Sequence, residues 1–218
     1  MPTPPTPPAK PTTSIPPTPQ PHHRALIFDC DGTLADSMPV HWIAWNETLK
    51  AHNLDHLMPH DRFLAWGGVP ARRIFQTLAE EAGRSFTEDE IDALAAEKYD
   101  NYFKRADTIQ PVAPILAIAE QYRGKLPMAV ATGSTRHGVT RTLAAIDATD
   151  WWGAVITADD VTHSKPHPET FLKAAEALGV DPAHCLAYED ADPGITAAQD
   201  AGMDVCDVRT VVSVMPPS

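Results

Sequence analysis

Two aspartates one residue apart, Asp29 and Asp31, follow the apolar run Ala25-Leu26-Ile27-Phe28 and precede Gly32 and Thr33. Carboxylates this close repel one another unless positive charge lies among them. The simplest source is a divalent cation with oxygen ligands, Mg²⁺ above all. A plain Asp-Gly turn, its side chains bonded to their own backbone, is the alternative. Three later stretches carry groups suited to an anion. Thr132, Gly133 and Ser134 offer a hydroxyl and accessible N–H groups ahead of a helix, where the dipole favours negative charge; an ordinary helix cap would use the same residues. Lys165 lies in Ser164-Lys165-Pro166-His167-Pro168, where prolines stiffen the backbone and fix where the side chain projects, against the default of a solvated lysine. Glu189 and Asp190 close another apolar run, with Asp190 the ligand candidate and Asp192 reading as a helix cap. Together these groups could hold a metal and a phosphoryl group against a carboxylate nucleophile. Such a transfer needs mainly positioning and charge neutralisation.

The elements that must position them follow from hydrophobic pattern. Short apolar runs at 25–28, 127–131, 154–157, 184–188 and 204–208 read as buried strands. Helical patterns alternate with them at about 112–123, 136–147, 167–178 and from Asp192-Pro193-Gly194 to Gly202. This alternation predicts a Rossmann-like, doubly wound α/β fold, a parallel sheet covered on both faces with ligands beyond the carboxyl ends of its strands. Between 38 and 106 no strand signal appears. Helices are predicted there from Val40 to His52, from Pro70 to Glu81, and from the capping box Thr87-Glu88-Asp89-Glu90 to Lys104. The chain therefore divides into a disordered Pro-rich tail at 1–22, an α/β core at 23–37 and 107–218, and a helical cap at 38–106.

Composition bounds the function. Net charge is −12 across 218 residues, with no basic stripe to serve a nucleic-acid or anionic-membrane surface. No apolar run reaches the roughly 18 residues of a membrane span, and no basic-then-apolar leader opens the chain. Cys30, Cys185 and Cys206 sit inside apolar runs and read as core residues of a reducing compartment. A soluble, cytoplasmic protein is the expectation. The proline-rich tail should sample extended polyproline conformations; a docking partner for it is the lesser reading beside a solvated tail.

The four motifs FDCDGT at 28–33, ATGS at 131–134, SKPHPE at 164–169 and YEDADPGI at 188–195 occur in the order of the haloacid dehalogenase superfamily, which the chain resembles over residues 24–210. The resemblance implies Asp29 as the nucleophile forming an aspartyl-phosphate, and Asp31 as the acid that protonates the leaving oxygen and then activates water. It implies Mg²⁺ held by the Asp29 carboxylate, the Asp31 backbone carbonyl and Asp190, with Glu189 in support. Thr132 and Lys165 would bind the phosphoryl group. Further likeness, in PVHWIAW at 39–45, MAVATGS at 128–134 and EDADPGITAA at 189–198, is to bacterial fructose-1-phosphate and 6-phosphogluconate phosphatases and to their relative β-phosphoglucomutase. Both groups carry a histidine at the position of His41 and a lysine at that of Lys98. Lys98 also lies on the apolar stripe of its helix, where a charge is costly unless it faces a cleft or an anion, or snorkels from the stripe's edge. His41 either takes part in the chemistry or packs beside Trp45. The loop Trp66-Gly67-Gly68-Val69-Pro70 lacks the mutase's serine-arginine, and Arg72 or Arg73 is the candidate replacement. Substrate contacts are thus assigned to His41, Arg72, Arg73, Lys98, Gly133 and Ser134. The implied function is a Mg²⁺-dependent phosphatase of a small phosphorylated metabolite, a sugar phosphate such as fructose 1-phosphate, with a hexose-phosphate mutase as the alternative.

Overall fold

A computed structural model describes residues 16–211. Its centre is a five-stranded sheet in the order β5-β4-β1-β6-β7, built from β1 (Ala25–Phe28), β4 (Met128–Ala131), β5 (Ala154–Ile156), β6 (Cys185–Glu189) and β7 (Asp204–Asp207). All four neighbouring pairs are parallel, and β1 is central: Phe28 registers with Val130 on one side and Tyr188 on the other. Asp29, Thr132 and Glu189–Asp190 therefore emerge side by side at one edge.

Alternate residues feed two cores. Leu26, Phe28, Val130 and Tyr188 face α5 (Ala113–Tyr122) and α6 (Arg136–Ala145) through Ile115, Ile118, Val139 and Leu143. On the opposite face Ala25, Ile27, Ala129, Ala131 and Ala187 meet α7 (Glu169–Leu178) and α8 (Asp192–Asp200) through Phe171, Ala174, Ala197 and Ala198. The small residues on this second face let the helices lie close on the sheet.

Two two-residue strands, β2 (Ala35–Asp36) and β3 (Gln110–Pro111), pair antiparallel and mark where the chain leaves and rejoins the sheet layer. Between them lie α1 (Met38–Ala51), α2 (His60–Ala65), α3 (Ala71–Glu81) and α4 (Glu88–Phe103), which share a core of Trp45, Leu49, Phe63, Phe75, Leu78 and Leu94. The Thr87 capping box is formed on both sides, its hydroxyl accepting from the Glu90 N–H and the Glu90 carboxylate accepting from the Thr87 N–H. The helix α2 and the β2–β3 pair are absent from the sequence expectation, because six and two residues are too short to carry a period.

Two further expectations need correction. Residues 1–15 of the expected disordered tail lie outside the described residues, but 16–22 are held in place. Pro16 is buried, the Tyr188 hydroxyl donates to the Pro17 carbonyl at 2.8 Å, and His22 and His23 both reach Asp204. A proline carbonyl is a full acceptor although the residue lacks a donor, so the tract can be tied down from one side. Asp192 is not a side-chain cap either: Ala191 occupies the cap position, and Asp192 in the first turn pairs with Arg209. All three cysteines are free and buried. Among the described residues no helix is long and apolar enough to cross a membrane.

Candidate active site

The strand ends converge on Lys165. Its ammonium, with no side-chain surface exposed, donates to Asp29 Oδ1 and Glu189 Oε1, each at 2.7 Å. The other oxygen of Glu189 accepts from the Ala191 N–H at 2.7 Å. Gly194 leaves the room this carboxylate fills, because a Cβ there would collide with it. Glu189 thus holds Lys165 in place while remaining part of the carboxylate cluster with Asp29 and Asp190. Burial raises Asp29 well above the usual carboxylate range; Lys165 opposes the rise, while Glu189 and Asp190 add to it. Asp190 is pushed up to about 8 by burial and by Glu189, against the Thr33 hydroxyl, which donates to it at 2.9 Å. Lys165 itself stays protonated, because Asp29 and Glu189 outweigh the burial that would neutralise it.

Ligand oxygens of Asp29, Glu189 and Asp190 lie within 4.8 Å of one another. Gly32, in the left-handed region at φ 93°, lets the Asp190 carboxyl approach where any Cβ would collide with it. Three crowded oxygen donors, two of them made hard to ionise by mutual repulsion and burial, fit a hard divalent cation.

Asp31 is turned away from that cluster. One oxygen accepts from the Ser37 hydroxyl at 2.6 Å and from His41 Nε2 at 3.2 Å, the other from the Ser134 hydroxyl at 2.7 Å. Burial favours the neutral acid, but the charge and hydrogen bond of His41, with Ser37 and Ser134, hold Asp31 below the usual range. Lys98 Nζ lies 2.8 Å from His41 Nδ1 and His41 Nε2 lies 3.2 Å from Asp31 Oδ1, so a chain of hydrogen bonds runs from the ammonium through the imidazole to the carboxylate. Lys98 is buried, and that burial brings it down to about 7. Burial, then the neighbouring Lys98 charge, lowers His41.

Thr132 accepts from the Ser134 N–H at 3.0 Å, which leaves its own hydroxyl proton free to donate. Gly133 abuts the loop before α3 so tightly that a Cβ would meet the Gly68 backbone. A cavity of about 60 Å³ lies between the layers, bounded by Asp29, Asp31, Thr132, Gly133 and Ser134 below and by His41, Lys98 and largely apolar residues above.

Arg72 and Arg73 do not line this cavity. On α3 the buried positions are Ala71, Ile74, Phe75 and Leu78, a helical stripe that turns both arginines outward. Arg72 pairs with Glu88 and Asp92, and Arg73 lines the outer groove beside Pro166. Their assignment as substrate contacts is corrected accordingly. Three groups were not singled out from sequence. Ser37 and Thr33 anchor Asp31 and Asp190, and Tyr99 lines the cavity while its hydroxyl accepts the Thr135 N–H at 3.2 Å. Small hydroxyl residues after a strand carry no signal of what they bond, and an aromatic beside Lys98 reads as core.

The family model for haloacid dehalogenase-like hydrolases matches residues 23–202. The fructose-1-phosphate phosphatase YqaB of Escherichia coli K12 is 38% identical over 190 residues, covering 86% of this chain and 97% of its own. The phosphoglycolate phosphatase of Escherichia coli O157:H7 is 30% identical over 199 residues, covering 82% and 78%. Among solved structures, β-phosphoglucomutase from Clostridium difficile superposes with a TM-score of 0.75 at 26% identity, covering 84% of this chain and 83% of that one.

Proposed function

The chain belongs to the haloacid dehalogenase-like hydrolases and is a phosphatase of small phosphorylated metabolites; on that premise we propose that it hydrolyses a sugar phosphate such as fructose 1-phosphate through an aspartyl-phosphate on Asp29, with Mg²⁺ as cofactor. The observation that carries this reading is the buried Lys165 ammonium bonded to Asp29 within the carboxylate cluster. It orients one oxygen of Asp29 and leaves the other to attack phosphorus.

Asp29 and Asp190, with the Asp31 backbone carbonyl, would hold Mg²⁺, which supplies charge neutralisation for the phosphoryl oxygens when bound. The chain's own residues do the rest. Lys165 balances the Asp29 carboxylate, and the Thr132 hydroxyl and the Gly133 N–H receive the phosphoryl oxygens, with the Ser134 N–H holding the Thr132 hydroxyl in place. Asp31 is ionised at rest. A phosphoryl dianion entering beside it adds like charge and raises its pKa, so it takes up a proton along the line from His41 and Lys98. That proton passes to the leaving alcohol oxygen as the P–O bond breaks. The same carboxylate then removes a proton from the water that attacks the aspartyl-phosphate, releasing inorganic phosphate and restoring Asp29. Residues 38–106 act as the cap that excludes bulk water during both steps.

A hexose-phosphate mutase must grip a second phosphate while its intermediate turns over, and Arg72 and Arg73 face away from the cavity that would hold it. Hydrolysis is the better-supported reading. Phosphate release from fructose 1-phosphate should require Mg²⁺, stop in EDTA and be abolished by Asp29→Asn with the circular dichroism spectrum unchanged. Full turnover in Asp29→Asn, or conversion to an isomeric sugar phosphate without phosphate release, would overturn it.

A further inference from the structure

The turn that receives the phosphoryl group, residues 132–135, is fastened at both ends. At one end the Thr132 N–H donates to the Ile156 carbonyl of β5 at 2.9 Å, and the Ser134 N–H closes back on the Thr132 hydroxyl. At the other the Thr135 N–H crosses between the layers to the Tyr99 hydroxyl of α4, 3.2 Å away. The Thr135 hydroxyl is already engaged as the cap of α6, accepting from the Gly138 N–H. The anchor at this end of the turn therefore belongs to a helix of residues 38–106 rather than to the sheet layer.

Tyr99 reaches that position as a wedged ring. Gly138 makes room for it, since a Cβ there would come within 2.9 Å of Tyr99 Cε1. The Lys98 ammonium lies 4.4 Å from the ring centroid, and Phe103 stacks beside it at 5.9 Å. Held by these neighbours, the ring aims its hydroxyl at the turn. Burial raises the phenol, against Thr135 and Ser134, so it stays protonated. A phenylalanine would pack among the same groups; what the hydroxyl adds is an acceptor for the Thr135 N–H. Next to it on α4, Lys98 is linked through His41 to Asp31, so one turn of helix reaches both the acid and the turn that holds the phosphoryl group.

We propose that Tyr99 is a positioning residue for the hydrolysis: its hydroxyl fixes the Thr135 end of the turn, and through it the direction in which the Gly133 N–H and the Thr132 hydroxyl meet the phosphoryl group. Donors of this kind serve the transition state only when they are set in place beforehand, and a small tilt of the turn is enough to spoil their aim. The inference rests on the phosphatase reading above and adds to it a residue that acts through the turn instead of on the reacting atoms. Because Lys98 and Tyr99 are neighbours on α4, a shift of that helix moves the partner of the acid and the anchor of the turn together.

Tyr99→Phe keeps the ring and deletes the acceptor. Its kcat for fructose 1-phosphate is expected to fall about tenfold with KM within about twofold, the pattern of an interaction expressed in the transition state. With Mg²⁺ present, vanadate, which adopts the five-coordinate geometry of the transferring group, should bind about tenfold more weakly, while inorganic phosphate binding moves by less than about threefold. Hydrogen exchange read by mass spectrometry should quicken in the peptide spanning 132–138. A purely structural tyrosine would lower the melting temperature without changing the ratio of vanadate to phosphate affinity, and that result overturns the inference. So does a raised KM at unchanged kcat, which would mark Tyr99 as a plain substrate contact. Either result leaves the phosphatase reading standing. No phosphate release by the unaltered protein overturns the fructose 1-phosphate reading, and the vanadate comparison still decides the role of Tyr99.

Discussion

Replacing Gly133 by alanine should separate the cap from the chemistry without disturbing the core. The backbone of Gly133 is outside the left-handed region, so alanine is conformationally allowed there. Its Cβ would nonetheless sit 2.6 Å from the Gly68 carbonyl carbon and 2.9 Å from the Gly68 Cα. It would lie closer still to the Gly68 carbonyl oxygen, so ordinary contact requires the Trp66–Pro70 loop to retreat by well over ~1 Å, and a misplacement of that size costs at least about 100-fold in rate when it falls on reacting groups. Steady-state hydrolysis of fructose 1-phosphate should show a loss of that order in kcat/KM, and the melting temperature should fall as well, because the added Cβ meets backbone that must shift. A neighbouring contact supplies a graded control. A Cβ on Gly67 would lie 2.8 Å from the Cβ of Ala191, so Gly67→Ala should cause a smaller loss, and Ala191→Gly should rescue it by removing the opposing atom. Gly133→Ala with kcat/KM within about threefold of wild type would refute the idea that closure of this loop onto the phosphoryl-binding loop sets the rate.

Lys98→Met removes a buried ammonium whose folded pKa is about 7 against an ordinary 10.5. Below pH 7 both folded and unfolded chains hold that proton and the burial penalty is fully present; between 7 and 10.5 only the unfolded chain holds it, so wild-type stability rises with pH. Relative to Lys98→Met, the wild type should gain about 1.4 kcal/mol per pH unit from pH 7 to 9 in denaturant titrations, and a parallel pair of curves would contradict this. Turnover in Lys98→Met should fall because His41 loses its donor. Tyr188→Phe deletes the hydrogen bond to Pro17 and should cost about 1 kcal/mol, a melting-temperature drop of about 2–4 °C. Deleting residues 1–22 should lower it further, since the His22 contact to Asp204 goes as well; an unchanged melting temperature in both would show that the arm contributes nothing to stability.

The core was legible because Asp29, Thr132 and Glu189 each stand at the end of a four- or five-residue apolar run, and a parallel sheet aligns such ends automatically, whereas Lys165 lies in the loop between β5 and α7. Fold class, strand order of appearance and the Thr87 cap needed nothing beyond pattern. The grip of Lys165 on both Asp29 and Glu189 depends on β1 lying beside β6, which sequence order alone does not dictate. Arg72 and Arg73 show a different kind of miss. Proximity in sequence to the Gly67-Gly68 loop suggested a substrate contact, yet the stripe of Ala71, Ile74, Phe75 and Leu78 already excluded both from the inner face. Periodicity should have outranked adjacency there. Tyr99 is the converse, one step from Lys98 on α4 and thus rotated toward α6, where its role depends on a helix 36 residues away in the chain. For residues 16–22 the reading differed because composition describes what a segment cannot form by itself, not whether a tyrosine hydroxyl is waiting to bind it.

The central claim is that Asp29 becomes covalently phosphorylated. Because Asp31→Asn would slow formation of the intermediate as well as its hydrolysis, the unaltered protein is mixed with Mg²⁺ and fructose 1-phosphate, quenched in acid during turnover, reduced with borohydride, digested and read by mass spectrometry. The account predicts homoserine in place of aspartate at position 29 and nowhere else. Unmodified Asp29 under turnover conditions, or reduction at another carboxylate, would contradict it.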